Sequence, residues 1–159
     1  QGRTVDFKNT VIVMTSNLGS HQIMQMAGQD SEAIRDAVWV EVKQHFRPEF
    51  LNRIDEVIMF EPLSREEVTE IVRLQFSRIK TQLAEQGLTI TASDEAIEWL
   101  AQLGYDPHFG ARPVKRVMQK QVLNELSKQL LAGKVDRDHE IVLDVFDNKF
   151  VFMNKEKKG

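Results

Sequence analysis

The 159-residue chain contains no cysteine. Disulfides, thiolate zinc sites and thiol nucleophiles are thereby excluded, and the composition suits a reducing interior. No run approaches the roughly 18 apolar residues a membrane helix needs. The opening residues QGRTVDFKN have neither the charged start nor the apolar stretch of a signal peptide. These absences lead to the expectation of a soluble, cytoplasmic protein with no membrane partner. Neither sign of charge dominates: 21 Lys and Arg face 24 Asp and Glu for a net charge of -3, interspersed along the chain. That balance argues against nucleic acid as a main partner. Repeats and low-complexity segments are absent too, and 42% apolar content is enough for a hydrophobic core.

Several chemistries are missing as well. There is no G-x-x-x-x-G-K-[ST] phosphate loop, and no apolar strand ends in paired acidic residues that could hold magnesium, so the chain alone is not expected to hydrolyse ATP. His21, His45, His108 and His139 are scattered without an i, i+4 pair or a carboxylate at ligand spacing, and no metal site is expected. No order of Ser, His and Asp suggests a hydrolase elbow.

What is present reads as strand, helix, strand, and then a small mixed domain. Thr10 to Met14 is a short β-branched run, the pattern of a strand buried on both faces. Ser20 to Asp30 has no convincing period and predicts a loop or a short irregular helix. From Ser31, taken as the N-cap, apolar residues recur at Ile34, Ala37, Val38, Val42, His45 and Phe46, which predicts an amphipathic helix ended by Pro48. Val57 to Phe60 reads as a second buried strand. Ser64 and Glu67 then form a capping box, with Leu63 and Val68 as a hydrophobic staple. The helix they open carries Val68, Ile71, Val72, Phe76, Ile79 and Leu83 and stops at Gly87. Leu88 to Ala92 predicts a strand, Ser93 to Gly104 a helix, and Ala111–Pro113 to Gly133 a third helix with Val114, Val117, Met118, Val122, Leu126 and Leu130 along one side. Ile141 to Phe146, a turn at Asp147-Asn148 and Phe150 to Phe152 predict a hairpin. The expected fold class is α/β plus α+β: the C-terminal part of a parallel-sheet core over residues 1–63, a small helical subdomain with short strands and a C-terminal hairpin over 64–154, and a frayed tail at 155–159.

Three polar positions stand out, each with a plain alternative. Asn17 follows a strand, where ligands bind in open α/β sheets, but Asn is also a common turn residue. Arg53 lies among Glu49, Asp55 and Glu56, which suits a surface salt bridge or a guanidinium offered to phosphate. Arg112, preceded by Gly110 and Ala111, opens a helix, where an anion is favoured; with Lys115 and Arg116 it equally suits a solvated basic face.

Three segments, VIVMTSNLGS, FRPEFLNRIDEVIMFEPLS and GYDPHFGARPVKR, in this order and spacing, closely resemble the C-terminal part of the second AAA+ module of ClpB-type disaggregases of the Clp ATPase family. The resemblance implies that Asn17 is the sensor 1 residue, Arg53 the arginine finger acting on the neighbouring subunit's nucleotide, and Arg112 of the GAR segment sensor 2. Residues after Leu63 would be the lid subdomain. It implies ATP or ADP with Mg2+ in the full-length protein and no cofactor for this segment alone. Neighbouring subunits of a homohexameric ring, unfolded or aggregated proteins and an Hsp70-type system would be partners. Relatives that feed a peptidase carry an Ile-Gly-Leu or Ile-Gly-Phe tripeptide after the sensor 1 strand. SHQIMQMAGQDSEA has none, so disaggregation is expected over a protease-coupled unfoldase. A winged-helix-like DNA-binding module, reading RPVKRVMQKQ as a recognition helix, is a remoter alternative. The Walker motifs and pore loop are expected before Gln1.

Overall fold

The computed structural model describes residues 4–26, 28–107 and 109–155, and the chain separates into two units, Gln1–Glu61 and Pro62–Gly159.

The first unit holds three helices among its described residues: α1 (Ser20–Gln25), α2 (Ser31–His45) and α3 (Pro48–Leu51). The short irregular helix expected after Asn17 is α1. Asp30 rather than Ser31 is the N-cap of α2, and its side chain makes no capping bond. Val38 is the buried residue of α2; His45, placed on the apolar stripe by its spacing, is exposed. α2 stops just ahead of Pro48, with Phe46 and Arg47 extended, and Pro48 also opens α3, as its ring permits at a first helical position. The two expected strands are corrected: Thr10–Met14 and Val57–Phe60 are not strands. A strand exists only through a hydrogen-bonded neighbour, and none of the described residues pairs with either segment. Their side chains accordingly stand out, Val11 90%, Ile12 88% and Phe60 85% exposed.

The second unit carries the hydrophobic core. Helix α4 (Arg65–Ala84) starts with the full capping box: the Ser64 hydroxyl accepts the Glu67 N–H at 3.2 Å, and the Glu67 carboxylate accepts the Ser64 N–H at 2.7 Å. Such a cap contributes about 1 kcal/mol. Val68, Val72, Phe76, Ile79 and Leu83 then fall on one face and are buried, with Leu63 and Ile71 packed at the margin. Gly87 adopts φ +76° just beyond the helix, a conformation glycine reaches without a Cβ penalty.

Strand β1 (Ile90–Ala92) is shorter than its apolar run and pairs in parallel with β2 (Ile141–Phe146), Ile90 opposite Ile141. β2 pairs antiparallel with β3 (Lys149–Asn154). Asp147 and Asn148, at φ +50° and +57°, make the two-residue turn whose twist suits a hairpin. Lys155, assigned to the tail, is tied down: its N–H donates to the Glu140 carbonyl at 2.9 Å. The remainder of that expected tail, 156–159, lies outside the described residues.

Helix α5 (Asp94–Gly104) packs against α4 and β2, burying Ala96, Ile97, Leu100 and Ala101. Gly104 is its last residue, and close packing rather than a left-handed conformation calls for glycine there. Its φ is not positive; a Cβ there would stand 2.7 Å from a Val114 methyl carbon and 3.1 Å from the Val114 Cα. The third helix is continuous but not uniform: α6 (Val114–Val117), a π-helical stretch (Met118–Asn124) and α7 (Glu125–Leu131).

Candidate functional site

In the first unit the chain turns sharply after the Thr10–Met14 segment. The Ser16 hydroxyl accepts the Leu18 N–H at 3.2 Å, and the Asn17 carbonyl accepts both the N–H and the hydroxyl of Ser20, at 3.2 and 2.6 Å. Gly19 closes the turn with φ +79°, and a Cβ on it would lie 2.7 Å from a Val38 methyl carbon. Both the dihedral and the space therefore require glycine, which locks the start of α1 onto α2. The turn is made by Ser16, Gly19, Ser20 and the Asn17 backbone carbonyl, and the Asn17 carboxamide takes no part in it. That carboxamide is exposed and without a hydrogen bond among the described residues.

Arg53 follows α3. The Phe46 and Phe50 rings stack at 5.2 Å, fixing α3 against the end of α2, and the Arg53 N–H donates to the Phe50 carbonyl at 3.0 Å. The salt-bridge reading finds no pair: with Glu49, Asp55 and Glu56 all nearby in sequence, the exposed Arg53 guanidinium makes no ion pair among the described residues.

In the second unit Arg112 stands at the end of a tight loop. Asp106 and Gly110 exchange backbone hydrogen bonds of 2.9 and 2.6 Å, and the Asp106 carboxylate accepts the Phe109 N–H at 3.0 Å. Gly110 lies at φ +60°. Ala111 is half-buried against the core. The Arg112 N–H donates to Phe109 and the Val114 N–H to Ala111, so backbone donors at this helix start are partly consumed by the turn. The group offered outward is the guanidinium, which is exposed and without an ion pair among the described residues, as are Lys115 and Arg116.

Asn17 and Arg53 thus belong to the first unit, and Gly110, Ala111 and Arg112 to the second. All three polar side chains are uncommitted within their own unit. An open groove of about 600 Å³ runs past Leu88, Leu130, Leu131, Val135 and Arg137, and none of the five candidate residues lines it. The carboxylates with shifted acidity lie on and before the hairpin. Asp144 is held below the usual range by the Ser93 hydroxyl and then the Val145 N–H, Glu140 by Lys155 and then Thr91, and Asp136 by the Asp138 N–H and then His139. Among the described residues no three His, Asp or Glu side chains gather to hold a metal, and no helix is long and apolar enough to cross a membrane.

Residues 63–143 match the family model of the C-terminal, D2-small domain of ClpB protein. The chain belongs to the ClpB family. Residues 1–57 match the AAA domain of the Cdc48 subfamily. A probable chaperone protein ClpB 1 of Chlorobaculum tepidum is 48% identical over 98% of this chain and 37% of its own length. Among solved structures, the S. cerevisiae Hsp104–ADP complex is 34% identical, with a TM-score of 0.74 over 87% of this chain and 25% of that one. A closed-state Hsp104 reconstruction with ATPγS and FITC-casein is 33% identical, with a TM-score of 0.76 over 96% and 27%. The fold is therefore that of the C-terminal part of an AAA+ module with its helical lid. This chain spans about a third of the length of the ClpB relative.

Two close-packed glycines, one beside Asn17 and one facing the helix after Arg112, went unread in the sequence. No local pattern marks the close approach at Gly19 or at Gly104, the last residue of α5. The signal for both would have been a β-branched residue on a facing helix, Val38 and Val114, and only the packing reveals which helices face each other.

Proposed function

We propose that this chain is part of an ATP-dependent chaperone that remodels aggregated proteins, and that its contribution is to read nucleotide rather than to hold it. The carrying observation is that Arg53 and Arg112, within segments matched by the two family models, present exposed guanidinium groups without ion pairs among the described residues. An exposed arginine without an ion pair is available to a phosphate. Residues 1–63 act as the C-terminal portion of the AAA+ large subdomain and 64–154 as its lid.

In this reading bound ATP, with its Mg2+, supplies the phosphoanhydride whose hydrolysis drives the work. Arg53 stabilises charge developing on the phosphates held by the neighbouring subunit of a hexameric ring, while the Asn17 carboxamide orients the attacking water of its own subunit. Arg112, set by Gly110 and Ala111 at the end of the Asp106–Gly110 loop, meets the phosphates of its own subunit when the lid closes. The arginines fit phosphate; the described residues supply no carboxylate cluster for magnesium, whose ligands would come from the nucleotide and from other segments. Unfolded or aggregated proteins and an Hsp70-type system are the proposed partners, and the cytoplasm the proposed compartment. Membership in the ClpB family supports protein remodelling over the DNA-binding alternative. The helix SHQIMQ after Asn17 supports disaggregation over peptidase docking, since it contains no Ile-Gly-Leu or Ile-Gly-Phe.

The test is Arg53→Ala in the complete protein. Removing charge stabilisation of this kind costs about three orders of magnitude in turnover, so ATP hydrolysis should nearly vanish while ATP affinity, measured by a fluorescent nucleotide, stays within about twofold. Wild-type turnover would refute the assignment.

A further inference from the structure

The loop that carries Arg112 is closed at a neck. Gly104, the last residue of α5, meets Val114, the first of α6, and both are buried. A Cβ on Gly104 would stand 2.7 Å from a Val114 methyl carbon and 3.1 Å from the Val114 Cα, so the two backbones approach here with no side chain between them. Val114 is β-branched and stiff at its first side-chain torsion, which leaves its methyl group little room to turn away.

Inside the neck the chain is held at short intervals. Asp106 and Gly110 pair through their backbones, the Arg112 N–H donates to the Phe109 carbonyl at 3.2 Å, and the Val114 N–H donates to the Ala111 carbonyl at 3.1 Å. The last two bonds bracket Arg112. Pro113, between Arg112 and Val114, has its φ fixed by its ring, at -67°. Val114 is also held from the far side. It and Leu126 are both buried, although on an uninterrupted α-helix they would face directions about 120° apart. The π-helical Met118–Asn124 places more residues in a turn and takes back that drift, so Val114 reaches Gly104 while Leu126 stays in the core. The start of the helix is pinned at both ends, and Arg112 takes its place from the neck.

We propose that Gly104 is a positioning residue for Arg112: the missing side chain at the neck sets where Arg112 leaves the lid, and so the distance from its guanidinium to a phosphate. This rests on the reading of Arg112 as a phosphate contact. A methyl group at position 104 forces the Val114 backbone outward by a few tenths of an ångström. Pro113 and the two bracketing bonds pass that shift to Arg112. Hydrogen bonds between guanidinium and phosphate are short and directional, so a small displacement weakens them.

The test is made in the complete protein, with ATP affinity read by a fluorescent nucleotide and folding by the unfolding midpoint. Arg112→Ala should weaken ATP binding about tenfold or more, the loss of a charged hydrogen bond. Gly104→Ala should weaken it about fivefold. Adding Val114→Ala removes the methyl groups that the new Cβ meets and should restore affinity to within about twofold. In an Arg112→Ala background, Gly104→Ala should change affinity by less than about twofold, because no guanidinium is left to misplace. A glycine that only stabilises the lid would give the same loss with and without Arg112; that result overturns the proposal, as does wild-type affinity in folded Gly104→Ala. Where Gly104→Ala does not fold, Val114→Ala loosens the neck from the other side and faces the same comparison. A loss that depends on Arg112 supports the positioning role, and no loss, or one independent of Arg112, overturns it. Unchanged affinity in Arg112→Ala sinks the phosphate reading itself, whereas a loss there with none in Gly104→Ala sinks the positioning role alone.

Discussion

Gly104 shows how one residue can hold a whole segment in place. It meets Val114 so closely that a methyl group has nowhere to go, with the Val114 Cα itself 3.1 Å from the added carbon. Gly104→Ala should therefore destabilise the lid unit by about 1–3 kcal/mol, the usual cost of overpacking. The unit's own tryptophan, Trp99, can report this in a Trp39→Phe background by urea unfolding, and an unchanged midpoint would show that Val114 can retreat. The three polar candidates differ in kind from this glycine. The side chains of Asn17, Arg53 and Arg112 hold nothing together among the described residues of their units, which is what distinguishes them from turn, salt-bridge and core side chains of the same types. Their positions could be read from segment order; that they are uncommitted could not, because it depends on where Ser16 and Asp106 place their hydrogen bonds and on which side chains come within reach of each guanidinium.

Elements follow the sequence most closely where local chemistry governs them. The capping box of α4 and the Asp147-Asn148 turn form where their residues indicate, since both depend on contacts within about four residues. The parallel pairing of β1 with β2 depends on a contact across 51 positions, Ile90 with Ile141, and no local signal announces it. One polar cluster fastens that pairing to α5: the Ser93 hydroxyl accepts the Ala96 N–H at 3.1 Å and donates to Asp144 at 2.6 Å. These bonds favour ionised Asp144, so its pKa is lower folded than unfolded. The unfolded chain then binds more protons in the acid range, and the stabilisation is present above the ordinary carboxylate pKa and lost as pH falls through the lowered value. Asp144→Asn should flatten the acid limb of a stability–pH curve below about pH 4, leaving the parts due to Glu140 and Asp136, whose pKa values are lowered as well. A curve of unchanged slope would count against the Ser93–Asp144 bond as a source of stability.

For the whole molecule the two units differ in how far they satisfy themselves. The Pro62–Gly159 unit buries a connected core from α4 to β2, whereas Gln1–Glu61 leaves Val11, Ile12, Val13, Ile58 and Phe60 exposed on segments with the composition of buried strands. Such segments are templates for association. The 159-residue chain should self-associate with rising concentration, and Ile12→Lys should weaken this about tenfold, the equivalent of one buried aliphatic side chain, as read by sedimentation. Association indifferent to Ile12→Lys would place the contact elsewhere. The sequence by itself determined the family, the order of the elements in the second unit, the caps of α4 and α5, the hairpin turn, and the candidates Asn17, Arg53 and Arg112, because each is written in neighbouring residues or in motif order. Only the tertiary structure decided that Thr10–Met14 and Val57–Phe60 go unpaired among the described residues, that Gly19 and Gly104 are sites of close approach, and that the helix after Arg112 passes through a π turn. Those outcomes turn on which elements lie against each other, and a strand without a neighbour or a helix pinned at both ends takes its form from that packing.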